Sequence, residues 1–169
     1  PSLDSTDKRA LMLGAVRAMG LVKPPPRPAS ELRPSGKRHS KERDARAVRH
    51  HYDVSNEFFE LFLGPTMVYS CAIWRGGEMK TLEEAQQNKM DHVCRKVQLK
   101  RGETFIDVGC GFGGLLFHAL ERYGALGTGI NAATRQVAEL RAELARRGLE
   151  DRIGLVECDF REMPGQYDK

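Results

Sequence analysis

Ten residues, Phe105–Gly114, constrain this chain more than any others: FIDVGCGFGG. A short apolar run ends in Asp107, and Gly109, Gly111, Gly113 and Gly114 then open a turn. A strand that turns through glycines into a helix brings backbone N–H groups and a helix N-terminus against an anionic or carboxylate-bearing ligand. Gly109, Gly111 and Gly114 fit the spacing G-x-G-x-x-G. Several nucleotide-like cofactor classes share that spacing, so the motif alone selects none of them.

The sequence around the motif fixes the fold class. The patterning predicts a strand over 104–108, a helix over 113–123, a strand over 126–130, a helix over 133–147 and a strand over 153–158. Gly124 and Gly148 stand where helix C-caps belong. Strands that alternate with helices imply right-handed crossovers and a parallel sheet, so the class is α/β, the first half of a doubly wound Rossmann-like sheet. In such a sheet the first strand is central. The ending GQYDK reads as the lead-in to a fourth strand, and the chain is expected to be the N-terminal part of a longer protein.

Within that fold the position about 20 residues beyond the glycines discriminates between cofactors. Nicotinamide enzymes place an Asp or Glu there for the ribose hydroxyls; this chain has Asn131, in GINAATRQ. Asp107 lies two residues before Gly109. A carboxylate there can hold the loop or accept hydrogen bonds from a ligand ammonium, which suits the amino-acid tail of S-adenosylmethionine (SAM). Asp159 and Phe160 follow the third strand. They can bond an adenine amino group and stack on its ring. The residues by themselves leave a SAM site, a dinucleotide site and a structural glycine turn open.

Upstream, three regions are distinguishable: a basic arm over 1–38, a helical segment over 39–100 that caps the substrate side, and the cofactor-binding half-domain over 101–169. Leu11, Ala15, Ala18, Met19 and Val22 fall on one face of a predicted helix over 7–22, which either docks on the body or lies on a bilayer. A proline-rich linker follows over 23–36. Residues 39–50 read as a basic helix, and Ser55 or Asn56 caps a short helix bearing Phe58, Phe59, Leu61 and Phe62. Thr81 and Glu84 form a capping box ahead of a helix whose apolar stripe is Leu82, Ala85, Met90, Val93 and Val97.

Charge is distributed unevenly. Residues 1–50 carry 12 Lys/Arg against 5 Asp/Glu, whereas the remainder carries 15 against 18. A basic leading segment suits an anionic partner such as phospholipid headgroups or nucleic acid, or is simply a solvated arm. No apolar run approaches the roughly 20 residues of a membrane span, and the N-terminus lacks a secretory-leader pattern. Cys71, Cys94, Cys110 and Cys158 have no metal-ligand spacing and read as reduced cytosolic thiols.

One block decides among these alternatives. HHYDVSNEFFELFLGPTMVYSCAIW, followed by TLEEAQQNKMDHVCRKVQLKRGETFIDVGCGFGG, resembles the cyclopropane-fatty-acid synthase and mycolic-acid methyltransferase family over about residues 45–169. The resemblance implies methyl transfer from SAM to the double bond of an unsaturated phospholipid acyl chain. Proton loss to a cyclopropane, or reduction or hydration to a branch, then follows. It implies a cytoplasmic enzyme, peripherally bound to a membrane surface, with no nucleic-acid partner, and it admits a homodimer.

By position, the resemblance implies that Tyr69 and Ser70 contact SAM opposite the glycine loop. Phe105, Asp107, Val108, Gly109, Cys110, Gly111, Phe112 and Gly113 would wrap the methionine part. Asn131 and Gln136 would reach the ribose, and Asp159, Phe160 and Arg161 the adenine. It further implies a bicarbonate ion as the base, held in part by the backbone of Cys71, with a Glu, a His and a Tyr beyond this chain completing its site. No metal is implied. Two other readings stay open. One is a small-molecule amine N-methyltransferase, since plant alkaloid enzymes are similar to this family; the other is a non-catalytic SAM-binding module.

Overall fold

The computed structural model describes residues 5–21, 26, 28–31, 35–52, 54–77, 79–163 and 165–169. They fall into two compact units, Pro1–Arg33 and Pro34–Lys169. The first unit holds α1 (Ser5–Leu21). Leu11, Met12, Leu13, Val16 and Met19 are all exposed on it, as are Ala15 and Ala18 of the predicted apolar face. Val22 and most of the proline-rich segment lie outside the described residues.

The second unit is a three-stranded parallel sheet in the order β1-β2-β3, with β1 Thr104–Val108, β2 Leu126–Asn131 and β3 Gly154–Glu157. The far side of β1 is also paired. Ile106 N donates to Lys169 O at 3.0 Å and Lys169 N to Thr104 O at 3.2 Å. The Asp168 carboxylate accepts from both the N–H and the hydroxyl of Thr104. β1 therefore lies between β2 and the GQYDK segment.

Four helices precede or interleave the strands of this unit: α2 (Lys41–Tyr52), α3 (Asn56–Leu63), α4 (Leu82–Lys96) and α6 (Thr134–Arg147). A fifth, α5 (Gly114–His118), continues through a π turn over Ala119–Tyr123 and ends at Gly124, which takes φ 65°. Local chemistry sets most of these ends. The Ser55 hydroxyl accepts from Phe58 N and starts α3. Thr81 and Glu84 make both bonds of a capping box at α4.

The main core gathers Leu99, Phe105, Leu116, Phe117, Leu140, Leu144 and Ile153 between sheet and helices. Glycines in β2 let α5 approach closely. A Cβ on Gly127 would lie 2.7 Å from both Leu116 and Phe105, and one on Gly129 would lie 2.6 Å from Cys110 Sγ. The two positions share a face because side chains alternate along a strand. On α4 the buried face is Ala85, Gln86, Met90 and Cys94; Leu82, Val93 and Val97 of the predicted stripe sit at its exposed margin. A second cluster, Phe59, Leu63 and Phe112 with Tyr52 and Met67 against it, joins α3 to the loop after β1.

Candidate functional site

A cleft of about 540 Å³ opens at the C-terminal ends of β1 and β2, the position at which open α/β sheets bind ligands. Its floor is Asp107–Phe112 together with Ile130, Asn131 and Ala132; α4 supplies Lys89, Met90 and Val93; the segment Met67–Ser70 forms a wall; Val48 and Tyr52 come from α2; Cys158 and Phe160 close the far end. Gly109 and Gly111 take φ 84° and 56°, and a Cβ on either would meet open space. Backbone there faces the cleft with nothing in front of it.

The loop spends part of its hydrogen-bonding capacity on itself. Gly109 N and Cys110 N both donate to Ile130 O, at 2.8 and 3.1 Å, and Gly113 N donates to Cys110 O at 2.9 Å. The first two pin the loop to the end of β2 and the third closes a turn within the loop, so these three N–H groups are not the ligand-facing donors that the motif suggests. Gly113 begins α5 in a left-handed conformation, φ 85°, and a Cβ there would lie 2.5 Å from Leu140 Cδ1. At Gly114 a Cβ would lie 2.5 Å from Val68 Cγ2 and 2.9 Å from Thr66 O, so this glycine seats the 66–68 wall on α5.

Asn131 and Gln136 line the cleft but are buried and bonded to each other, Asn131 Nδ2 donating to Gln136 Oε1 at 2.9 Å. Asn131 also donates to Gly111 O at 3.3 Å and accepts from Ala133 N at 3.0 Å. Its role here is to hold the glycine loop against the start of α6. Asp107 sits at the end of β1, where burial pushes its carboxyl up to about 6 against the pull of Lys89. The Cys110 thiol, buried beside Asp107, is raised to about 12 and stays neutral.

The remaining predicted residues divide. Tyr69, Ser70 and Phe160 line the cleft, and Phe160 is 62% exposed, with the Arg161 guanidinium over its ring at 5.8 Å. Phe105 lies in the main core and Gly113 packs on Leu140; neither lines the cleft. Cys71 is exposed and also lies outside the lining. Asp159 and Arg161 bond each other, and Arg161 reaches His39 O at 2.9 Å and Asp44 Oδ2 at 3.2 Å, tying the end of β3 to the start of α2. Hydrogen bonding to Arg161 lowers the Asp159 carboxyl to about 2.

Sequence reasoning missed two residues of α4. Gln86, buried, donates to Val68 O at 3.3 Å and Ser70 O at 2.9 Å. Lys89 Nζ donates to Ser70 Oγ at 2.6 Å. Their three-residue separation on one helix face was the available signal. Tyr52, Phe59 and Phe62 surround Tyr69 with ring centroids 6.2, 5.2 and 6.1 Å away, and of these rings Tyr52 and Tyr69 line the cleft. Among the described residues no group of three or more His, Cys, Asp or Glu is placed to hold a metal, and no helix is long and apolar enough to cross a membrane.

A glycine loop at the C-terminal edge of a parallel sheet, a carboxylate at the end of its first strand and an exposed aromatic beyond its third define a Rossmann-like site for a nucleoside cofactor with a charged tail. The chain belongs to the mycolic acid cyclopropane synthetase family, whose profile matches residues 39–169. It is 43% identical over 141 residues to a probable fatty acid methyltransferase of Pseudomonas putida, covering 82% of this chain and 36% of that protein. It is 41% identical over 134 residues to sphingolipid C9-methyltransferase B of Emericella nidulans, covering 78% of this chain and 26% of that protein. The solved mycolic acid cyclopropane synthase CmaA1, complexed with SAH and CTAB, superposes with a TM-score of 0.68 at 32% identity, over 73% of this chain and 43% of that one. The chain thus spans about a quarter to a third of the length of these curated relatives.

The cleft fits the cofactor of such enzymes. Its volume lies within the roughly 300–1,000 Å³ of small-molecule sites. Open backbone at Gly109 and Gly111, opposite charges on Asp107 and Lys89 and the exposed aromatic ring of Phe160 match an amino-acid tail, a sulfonium and a flat base.

Proposed function

We propose that this chain is the cofactor-binding part of a SAM-dependent C-methyltransferase that alkylates the double bond of an unsaturated phospholipid acyl chain, giving a cyclopropane or a methyl or methylene branch. The observation that carries the reading is the meeting of two surfaces in one cleft. The glycine loop with Asp107 supplies one part of its lining, and Tyr52 and Tyr69, from α2 and the 67–70 wall, supply another.

When bound, SAM supplies an electrophilic methyl group on a sulfonium. An alkene is a weak nucleophile, so the protein's task is alignment in a water-poor pocket. Asp107 and the open backbone at Gly109 and Gly111 orient the cofactor's tail. The wall Met67–Ser70, fixed to α4 by Gln86 and Lys89, covers it. The aromatic rings line the path for an apolar chain, and their faces stabilise positive charge that develops on it. A proton must then leave before water adds. The family resemblance supplies bicarbonate as the base; on this chain only Cys71 would contribute to its site. In this reading the enzyme works peripherally at the cytoplasmic face of a membrane, on lipid and not on nucleic acid.

The test is lipid mass spectrometry on cells that express the full-length gene and are fed methionine with a deuterated methyl group. Acyl chains that gain one carbon and keep two of three deuterons support transfer followed by proton loss. Retention of all three indicates a reduced or hydrated branch. Labelled soluble amine with unlabelled lipid overturns the lipid reading in favour of an N-methyltransferase.

A further inference from the structure

The cleft holds one cation and one anion that face the same space without closing on each other. Lys89 reaches in from the middle of α4 and Asp107 from the end of β1. Each favours the other's charged form, yet among the described residues no salt bridge within 4.0 Å joins them. Both are partly withdrawn from water. Burial works against the charge on Lys89, with Cys71 and Asp107 restoring some of it, and burial raises the Asp107 carboxyl. The polar partner held by the Lys89 ammonium is the Ser70 hydroxyl, at 2.6 Å. An ammonium has three donors, so capacity remains for a ligand.

Two opposite charges held apart across one end of a cleft are complementary to a ligand end that carries both charges. The α-amino-acid group is such an end: its carboxylate matches Lys89 and its ammonium matches Asp107. We propose that Lys89 is a cofactor-binding residue that takes the carboxylate of SAM's amino-acid tail, with Ser70 alongside, while Asp107 takes the ammonium. The inference rests on the SAM reading above. It gives the contact between Lys89 and Ser70 a second purpose. Gln86 and Lys89 together fasten Val68–Ser70 to α4, so a carboxylate on Lys89 draws the same wall segment onto the cofactor.

The experiment is calorimetric titration of the full-length protein with SAM and with decarboxylated SAM, which keeps the ammonium, sulfonium and nucleoside and lacks only the carboxylate. The native protein is expected to bind SAM at least tenfold more tightly, the scale of a charge-assisted hydrogen bond. Lys89→Met should weaken SAM tenfold or more and decarboxylated SAM less than threefold. Equal affinity of the native protein for the two ligands overturns the proposal without any variant, so a misfolded Lys89→Met cannot rescue it. Equal losses for both ligands in a folded Lys89→Met, or no loss for SAM, overturn it as well. Failure of the native protein to bind either ligand overturns the SAM reading itself, and the proposal with it.

Discussion

Asn131 Nδ2 donates to Gln136 Oε1 over 2.9 Å inside the protein, and the same amide group of Asn131 bonds Gly111 O. The residue expected to meet a ribose thus joins the glycine loop to the first turn of α6. Asn131→Ala removes those bonds and the one from Ala133 N, leaving buried polar groups unpaired. The expected cost is about 1–3 kcal/mol of stability, with weaker SAM binding because the loop is no longer held. Gln136→Ala removes one of the three bonds and should cost less. Urea denaturation of both variants checks the order; a larger loss in Gln136→Ala would contradict the role assigned to Asn131.

Asp107 gives the site a pH dependence with opposite signs for folding and for binding. Its carboxyl stands at about 6 in the folded protein against an ordinary 3.8. The folded state therefore holds that proton more tightly than the unfolded chain does. The group's contribution to stability falls as pH rises from about 4 to 6 and is level above that. A ligand ammonium needs the ionised carboxylate, so SAM affinity should rise over the same window. Titration at pH 5 should give roughly tenfold weaker binding than at pH 7, and Asp107→Asn should remove the difference. A native protein with equal affinity at both pH values would exclude Asp107 as the ammonium's partner.

The sheet and the glycine turn were legible because short-range rules govern them. Alternation set the strands, Gly124 and Gly148 set helix ends, and Thr81 with Glu84 set the start of α4. The cleft's floor, Asp107 to Phe112, followed from the motif. What the sequence concealed is tertiary. Nothing local to Arg161 indicates that its guanidinium reaches Asp44, 117 positions away. Nothing local to Phe105 distinguishes the core side of β1 from its ligand side. Lys89 resembles any helical surface lysine until Ser70, on a distant loop, is folded against it.

Arg161, which the resemblance assigns to the adenine side, bridges two segments through His39 O, Asp44 and Asp159. These pairs are solvent-accessible, and such pairs add little to global stability. Arg161→Ala should leave the unfolding midpoint nearly unchanged and speed amide hydrogen exchange in α2, most at its N-terminal turn. SAM affinity should shift less than twofold. A tenfold loss of affinity with unchanged exchange in α2 would return Arg161 to the cofactor.

Gly111 and Gly113 belong to one motif, both with positive φ, yet their surroundings predict opposite failures. A Cβ on Gly111 meets nothing within 4 Å. Alanine there costs only the left-handed backbone, about 1–2 kcal/mol, while its methyl group occupies space in the cleft. Gly111→Val should abolish SAM binding in a protein that still folds. A Cβ on Gly113 lies 2.5 Å from Leu140 Cδ1 and 3.2 Å from Phe117 Cε2, inside a packed core. Gly113→Ala adds overpacking of about 1–3 kcal/mol to the same backbone cost. It should unfold at markedly lower denaturant, yet bind SAM with near-native affinity where it remains folded. Denaturation midpoints and calorimetric affinities for Gly111→Ala, Gly111→Val and Gly113→Ala separate the two roles. Equal stability losses at both positions would show that the clash at Leu140 is relieved, and native affinity in Gly111→Val would remove the glycine loop from the cofactor site.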